Sequence, residues 1–457
     1  MSTQLKADSL SFFESVIMGV AGSAPAFSIA VAISGLLAAA GAVSPNAILI
    51  FAVPMLGISV AYKGLNKKMP HAGAAYEWTK VGFGKFFGFF SGWALLIAAM
   101  VFMVTGSVPL GTATIDLFDP AMASNIWLTT GIGAVWFLAI GAVLITGIEL
   151  TSKIQVVMSS IELLILLVVS VAAFFHTGTA GAVTHFSWAW FGFNYPAGTF
   201  AASALIVVFL YWGWDVTCNL AEETKGVPPN AAGNGGFASI FVTIASFVAF
   251  TVAALMMFTL ATSSGFSDNL IYHVALAAGL GKTGGYAASL ALILSSVATL
   301  ETTMLQFSRT LFAMGRDRAL PVAFGKVGEK TQTPVRTMYL LLAVGLVMIF
   351  ISSFLPSIAT ILGDSVSAIA VQVCYYYGLA GLVCAWSYRD SLKESLATFV
   401  GYVVFPGLSA IALIGLGLYA ITTFNETTKI VGIGGLLIGI VFFRPKGYGN
   451  TSLAAAE

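Results

Sequence analysis

The chain has 457 residues, of which 58% are hydrophobic and only 9% are charged, and its mean hydropathy is +0.94. Soluble domains carry roughly 25% charged residues, so this composition indicates a polytopic membrane protein. The formal net charge of +1 gives no basic field that would attract nucleic acid. Because the three cysteines and four histidines show no ligand spacing, we expect no metal site and no bound cofactor.

Apolar runs of about 20 residues, the length of one membrane crossing, recur along the whole chain. No Walker loop separates them, and no soluble domain is long enough to hold a nucleotide. The fold class expected is all-α, with about twelve transmembrane helices. We place these spans at 12–40, 45–65, 84–113, 126–147, 152–175, 197–224, 236–262, 283–314, 336–354, 360–387, 395–422 and 428–443.

The basic residues test this map independently, because Lys and Arg collect in short cytoplasmic loops. With the N-terminus inside, 18 of the 20 basic residues fall in inner segments, and only Lys282 and Lys429 fall outside. A miscounted span or a reversed orientation would destroy this asymmetry. We predict a multi-pass protein of the cell membrane with both termini in the cytoplasm.

The first and sixth spans are interrupted near their middle. In the first, Pro25 follows a glycine-rich stretch, lacks an N–H group and crowds the carbonyl four residues earlier. In the sixth, Gly213 lies two residues before Asp215, an ionisable group that is costly in hydrocarbon unless it faces a cavity or an ion path. Interrupted spans at corresponding positions predict an inverted five-plus-five repeat with a site between its halves.

This repeat divides the chain. The two halves, at about 12–175 and 197–387, form a core within residues 1–392, and residues 393–457 supply spans 11 and 12 and a cytoplasmic tail. The sequence leaves the oligomeric state and any partner subunit open, and nothing in it argues against a monomer. The lipid bilayer is the one macroscopic partner that the composition demands.

Three stretches resemble conserved motifs of the amino acid–polyamine–organocation (APC) superfamily. Residues 213–225 (GWDVTCNLAEETK) resemble its sixth-helix motif, and residues 70–76 (PHAGAAY) resemble the loop after its second helix. Residues 308–321, together with Thr333 and Pro334, resemble the loop after its eighth helix. The resemblance implies a LeuT-like fold and secondary active transport of an amino acid, polyamine or related amine, usually driven by protons.

Three acids lie at a similar depth in apolar spans, and no Lys or Arg lies in the central part of any span. They could exchange protons, face a bound cation, or remain neutral acids hydrogen-bonded between helices. In proton-coupled relatives a lysine usually stands where we align Glu162, so sodium remains an alternative to the proton. Thr302 could add an oxygen ligand or simply bond the preceding turn. The residues predicted to couple an ion are Glu162, Asp215, Glu301 and Thr302.

In the superfamily, N–H groups of the first break bind a substrate carboxylate, and carbonyls of the sixth helix bind its ammonium. Pro25 removes one such donor, which leaves the N–H groups of Ser23 and Ala24. Aromatic side chains beside the breaks could wall the pocket or stack on an ammonium. The predicted substrate-binding residues are Gly22, Ser23, Ala24, Pro25, Phe27, Tyr211, Trp212, Gly213, Trp214 and Asp215.

At the cytoplasmic end of the sixth span, Glu222 and Glu223 lie beside Lys225, where a gate and a solvated salt bridge are equal alternatives. The unpaired acids and Pro25 favour a polyamine or basic amino acid as substrate; a neutral amino acid is the alternative. Symport, driven by protons or sodium, and exchange stay open. A channel would need pore-lining rings and an enzyme a nucleophile or metal cluster, and the sequence contains neither.

Overall fold

The computed structural model describes residues 3–176, 185–193, 197–226, 229–263, 269–355 and 357–445. Within these ranges the secondary structure is helical, apart from a single parallel bridge between Leu10 and Thr224. The tail predicted after residue 445 lies outside the described residues. The prediction of an all-α fold is confirmed.

The first five predicted spans form helices α1 to α8, with α5 in the loop after the second span. The first span consists of three α-helical pieces, and a π-helical segment at Ile29–Ile33 connects the last two. The bounds are α1 Phe12–Ser23, α2 Pro25–Ser28, α3 Ser34–Ala40, α4 Ser44–Lys68, α5 Ala75–Phe83, α6 Lys85–Asp116, α7 Ile126–Thr146 and α8 Ile148–Phe175.

Helices α9 to α14 form spans six to eight and the segment between spans seven and eight, which contains α13. A 3₁₀ turn at Ala221–Glu223 ends the sixth span, and a π-helical segment at Leu276–Leu280 precedes the eighth. The bounds are α9 Ala197–Leu210, α10 Val216–Asn219, α11 Ala231–Met257, α12 Leu260–Ser263, α13 Leu270–Ala275 and α14 Gly281–Arg316.

The last four spans contain helices α15 to α20. Spans eleven and twelve each include a π-helical segment, at Val400–Val404 and Lys429–Gly434. The bounds are α15 Val335–Ser352, α16 Ile358–Ser387, α17 Leu396–Phe399, α18 Phe405–Ile421, α19 Glu426–Thr428 and α20 Gly435–Phe442.

In the described part of the chain, nine helical runs are long and apolar enough to cross a membrane. The first run, Phe12–Lys68, has 57 residues and contains two predicted spans. At 1.5 Å per residue its length is far more than one bilayer crossing requires. The sixth and twelfth spans are not among these nine runs, because their continuous helices are too short to cross a membrane. The architecture therefore agrees with about twelve crossings.

Burial separates central from peripheral helices. In α6, 89% of the most apolar stretch is buried, and this helix packs against α7, α14 and α16. In the run that contains α18, only 22% of the corresponding stretch is buried, so most of its side chains are left for lipid. The divided first span packs against α8, α11 and α14. The interrupted segments are thus enclosed by other helices, as exposed backbone groups require.

The start of α1 is fixed by a capping box. The Ser11 side chain accepts from the N–H of Glu14, and the Glu14 carboxylate accepts from the N–H of Ser11 at 2.8 Å. This reciprocal pair satisfies two otherwise free donors at the helix N-terminus. It anchors α1 at the end of the bundle that carries most of the Lys and Arg residues, which we call the basic end.

Candidate functional site

The break in the first span lies where the sequence predicts it. Helix α1 ends at Ser23, and Ala24 adopts a left-handed conformation with φ of 46° and ψ of 71°. Pro25 then begins α2, the position at which a missing N–H costs nothing. Ala24 and Pro25 together therefore interrupt the helix without leaving a buried donor unpaired at the proline.

The break in the sixth span covers the residues between α9 and α10. Gly213 has a φ of 105°, which a residue with a β-carbon adopts only with strain. Asp215 immediately precedes the first residue of α10 and is fully buried. The prediction that Gly213 opens the helix beside a buried carboxyl group is confirmed.

The two breaks lie against each other. A β-carbon added to Gly22 would overlap the carbonyl oxygen of Gly213, and one added to Gly213 would overlap the carbonyl oxygen of Gly22. Backbone can approach backbone this closely because neither residue has a side chain. Substituting either glycine would therefore separate the broken segments of spans one and six.

The donors at the first break are not the ones that the sequence indicated. The Ala24 N–H, expected to be free, donates to the carbonyl of Val20 at 2.9 Å. The break instead releases the N–H groups of Ala26 and Phe27, at the start of the second helical piece. The Ala26 N–H donates to Glu162 Oε1 at 2.8 Å, and the Phe27 N–H donates to Ser295 Oγ at 3.0 Å.

Glu162 thus binds the N-terminal end of a helical segment. Its Oε1 also accepts from the Ser295 hydroxyl at 2.7 Å, and the side chain is fully buried. Its Oε2 has no hydrogen-bond partner among the described residues. A helix N-terminus favours negative charge, so α2 stabilises the ionised form of this carboxyl group. The unpartnered oxygen is the atom available to a proton or another ligand.

Asp215 lies in a separate polar network beside the second break. Its Oδ1 accepts from the Tyr377 hydroxyl at 2.8 Å. Its Oδ2 accepts from the Gln306 amide at 2.7 Å and from the Tyr376 hydroxyl at 3.2 Å. The carboxyl group has no ion-pair partner among the described residues. It therefore joins spans six, eight and ten through donors that carry no charge.

Glu301 does not join the other two acids. It is 2% exposed, and its Oε2 has no partner among the described residues. It borders an apolar cavity of about 120 Å³ between α7, α8 and α14, lined by residues that include Trp136, Ile140 and Met158. Glu162 instead faces the first break, where it accepts from Ala26 and Ser295. Thr302 donates to carbonyls of the preceding turn, of Ala298 and Thr299, at 3.1 Å each.

The aromatic side chains near the breaks divide into two groups. Phe27 and Trp212 both contact Phe102, with ring centroids 5.6 and 5.4 Å apart, and form one apolar wall beside the breaks. Trp214 packs instead against Tyr62 at 5.1 Å. Tyr211 points away, toward span two, where its hydroxyl donates to the Ile48 carbonyl at 3.1 Å.

The two predicted gating acids each bind an arginine at the basic end, and neither binds Lys225. Glu223 forms a bidentate pair with Arg309, with distances of 2.9 and 2.8 Å, and both side chains are almost completely buried. Glu222 binds Arg316 at 2.6 and 2.9 Å. Because Glu223 is buried, its salt bridge with Arg309 is not a solvated one. Both pairs connect the end of span six to α14.

The N-terminal segment also binds the end of span six. The carbonyl of Glu223 accepts from the N–H groups of Ser9 and Leu10, and the Lys225 N–H donates to the Leu10 carbonyl at 2.7 Å. Leu5 packs in a small cluster with Ala72, Phe312 and Val327. Residues before α1 therefore cover the basic end of the broken sixth span.

Charged loop groups surround these pairs. Burial, and then the nearby Arg316, lower the pKa of His71 to about 4, so this imidazole is neutral at neutral pH. Burial would raise the pKa of Asp317, but the ammonium of Lys80, which it binds, holds it below its ordinary value. The loop after the second span and the loop after the eighth are thus held together by charge at neutral pH.

Sequence reasoning missed the partners of the acids. Gln306, Tyr376 and Tyr377 hold Asp215, and Ser295 holds Glu162. A signal for the first three was present, since a glutamine and consecutive tyrosines inside apolar spans are polar groups that need partners. Ser295 carried no comparable signal, because hydroxyls in membrane helices usually bond the preceding turn.

Broken helices that meet around buried polar groups are a feature of secondary transporters. Comparison with known proteins agrees. Residues 10–443 match the family described as amino acid permease. The uncharacterized amino acid permease YecA of Bacillus subtilis (strain 168) is 30% identical over 367 residues, which are 77% of this chain and 79% of that protein.

More distant relatives carry substrate names. The branched-chain amino acid permease BcaP of Lactococcus lactis subsp. cremoris (strain MG1363) is 24% identical and covers 86% of this chain and 84% of its own length. The vacuolar cationic amino acid transporter 8 of Arabidopsis thaliana is 23% identical over 84% of this chain, which spans 64% of that protein. The chain belongs to the amino acid permease family of the APC superfamily. It is a multi-pass membrane permease for amino acids and not an enzyme.

Proposed function

We propose that this permease imports amino acids by alternating access, that protons drive it, and that amino acids with a cationic side chain are its preferred substrates. The observation that supports proton coupling is the contact between the Glu162 carboxylate and the Ala26 N–H at the first break. A helix N-terminus of this kind also suits the α-carboxylate of an amino acid. Two carboxylates compete for the same donors.

The competition couples the proton to the substrate. While Glu162 is ionised, it occupies the Ala26 donor and repels a second anion. When it takes up a proton, the charge disappears and the Ala26 N–H group becomes available to the substrate carboxylate. A ligand that prefers the protonated form must in turn increase the proton affinity of Glu162, because linkage between two binding events is reciprocal. Proton and amino acid are then carried together.

Asp215 supplies the negative charge for the other end of the substrate. Its carboxylate is held by neutral donors and has no cationic partner among the described residues. A buried charge without a counter-ion attracts a cation strongly. We assign the substrate's cationic groups to this side of the breaks, beside the wall formed by Phe27, Phe102 and Trp212.

Substrate access requires movement. Glu162, Asp215 and Phe27 are each no more than 1% exposed, so the site is closed to solvent. The pairs of Glu223 with Arg309 and of Glu222 with Arg316 form the gate at the basic end. We infer that release of the amino acid into the cytoplasm needs both pairs to separate.

The relatives support two substrate classes. The name of the Arabidopsis transporter favours a cationic amino acid, in agreement with the unpaired Asp215. The name of the Lactococcus permease favours a branched-chain amino acid, in agreement with the aromatic wall. We place lysine and arginine first because an apolar side chain would leave the Asp215 charge balanced only by the α-ammonium. Polyamines stay a prediction from the sequence alone.

Counterflow in proteoliposomes tests this proposal. Vesicles with purified protein are preloaded with lysine, arginine, leucine, valine or putrescine, and uptake of the same labelled compound is followed. We expect exchange of lysine and arginine, and uptake above equilibrium when the interior is alkaline. Exchange of leucine and valine alone would establish the second class. Accumulation that follows an imposed sodium gradient and ignores the pH gradient would contradict proton coupling.

A further inference from the structure

A pocket of about 700 Å³ opens at the basic end, away from the two breaks. It lies between the last turns of α4, the segment that follows span six, the first turn of α11, and Tyr402 of span eleven. Its lining includes Lys63, Lys67 and Lys225, and none of its described residues is acidic. We call it the basic pocket.

The three lysines carry unbalanced charge. None of them forms a salt bridge with any residue that the structure describes; the Lys63 ammonium lies 4.8 Å from the ring centre of Phe237. Glu14 is bound to Ser11 and does not line the pocket. The Glu222 and Glu223 side chains are bound to arginines. The described lining of the pocket therefore carries a net positive charge.

The start of α11 adds to that positive charge. This helix has 27 residues and no side chain caps its first turn, although its N-cap residue is Asn230. The Asn230 side chain instead donates to the Lys63 carbonyl at 3.0 Å and accepts from Asn66 at 2.7 Å. The first-turn residues Ala231 and Ala232, both buried, line the pocket. Their N–H groups provide the partial positive charge that anions bind at helix N-termini.

Asn66 indicates a second property of the ligand. It is 3% exposed and lines the pocket, and its Oδ1 has no donor among the described residues. An unpaired buried acceptor is costly and is satisfied by a ligand that brings a hydroxyl group. A phosphate group meets both requirements when it carries an O–H itself or when a hydroxylated headgroup follows it.

We propose that the basic pocket binds a phosphate-bearing anion through Lys63, Lys67, Lys225 and the N-terminus of α11. Basic pockets between membrane helices on the cytoplasmic side suit anionic lipid headgroups, and a free phosphate compound presents the same chemistry. This site is separate from the transport site and does not depend on the proposed substrate or coupling ion.

Thermal unfolding of the full-length protein in an uncharged detergent tests the proposal. The probes are a short-chain phosphatidylglycerol, a short-chain phosphatidylcholine and inorganic phosphate. A ligand that binds only the folded state raises the melting temperature with concentration. We expect phosphatidylglycerol or phosphate to stabilise the wild type and phosphatidylcholine not to. Stabilisation by the lipid alone identifies a headgroup site, and stabilisation by phosphate identifies a site for soluble anions.

Two triple variants with equal loss of charge provide the control. Lys63→Gln, Lys67→Gln and Lys225→Gln remove the pocket lysines, whereas Lys153→Gln, Lys326→Gln and Lys330→Gln remove lysines outside its lining. At roughly fivefold per lysine, the pocket variant should bind about a hundredfold more weakly and the control variant normally. Lys67→Gln alone changes only an exposed side chain and should weaken binding about fivefold. Equal binding by both triple variants, or no stabilisation of the wild type by either anion, would overturn the proposal.

Discussion

Glu162→Gln is the substitution that separates the coupling role of this residue from its structural one. The glutamine amide oxygen can still accept from the Ala26 N–H and from Ser295, so the contact that fixes the first break is kept. The charge and the ability to take up a proton are lost. We therefore expect a folded protein whose substrate affinity no longer depends on pH.

The size of the effect follows from the hydrogen bonds involved. A bond to a charged group contributes about 1.5–3 kcal/mol, whereas a neutral bond contributes about 0.5–1.5 kcal/mol. In the wild type, the substrate carboxylate has to displace a charged competitor, and protonation removes that competitor. These two values differ by about 1–1.5 kcal/mol, and 1.4 kcal/mol corresponds to a factor of ten. Affinity should therefore rise as the pH falls through the range in which Glu162 takes up its proton, by roughly tenfold in total.

Lysine binding measured by calorimetry or thermal stabilisation from pH 8 to pH 5 gives the result directly. The wild type should bind more tightly at low pH, and the variant should bind equally well throughout. Glu394→Gln removes an exposed glutamate far from the breaks in sequence and should behave as the wild type. An unchanged pH dependence in Glu162→Gln would refute the competition mechanism.

Three further predictions concern other charged groups. Asp215→Asn should keep the fold, because asparagine still accepts from Tyr377, but should reduce uptake at least tenfold. The control variant Asp390→Asn, at an exposed residue, should transport normally. Near-normal uptake by Asp215→Asn would show that the charge of Asp215 is not needed for transport. Glu223→Gln should lower the free energy of unfolding by about 3–5 kcal/mol, because it leaves the buried Arg309 charge unpaired. Adding Arg309→Met should restore much of this loss. Melting temperatures that show no such rescue would argue against the buried pair. The pKa of His71 is about 4 in the folded protein and about 6.5 in an unfolded chain, so the folded state is favoured while the imidazole is neutral. About 3 kcal/mol of stability should therefore be lost as the pH falls from 6.5 to 4. His71→Gln should lack this pH-dependent loss, and identical melting profiles of the two proteins would contradict the prediction.

Local chemistry explains why the breaks could be predicted. Pro25 cannot continue a helix hydrogen-bond ladder, and Gly213 permits a backbone conformation that other residues adopt only with strain. Both effects act within a few residues of the chain, so the sequence alone contains them. The spans are predictable for a similar reason, because bilayer thickness fixes the length of an apolar run.

The partners of the acids depend on packing between distant spans. Asp215 binds Gln306, 91 residues away, and Tyr376 and Tyr377, more than 160 residues away. No local rule selects these pairs. The gating acids show the same limit, since the neighbouring Lys225 suggested a partner but helix geometry brings Arg309 and Arg316 to them instead.

The position of Glu301 could not be inferred from its depth. Depth groups Glu301 with Glu162 and Asp215, because all three lie about equally far into their spans. Glu301 follows Ser295 by six residues, which is about 9 Å along the helix and a different face, at 3.6 residues per turn. Ser295 therefore faces the first break while Glu301 faces the cavity beside α7 and α8. The depth of a residue in its span predicts its level in the membrane but not which side chains it contacts.

Accumulation against a gradient is the most direct test of the central claim. Proteoliposomes with purified protein and equal concentrations of labelled lysine on both sides receive an alkaline interior, without a sodium gradient. We predict that lysine rises inside above the outside concentration, that a protonophore abolishes this rise, and that Glu162→Gln exchanges lysine without accumulating it. Equal lysine concentrations on the two sides, in wild-type vesicles that do exchange lysine, would contradict proton-coupled transport by this permease.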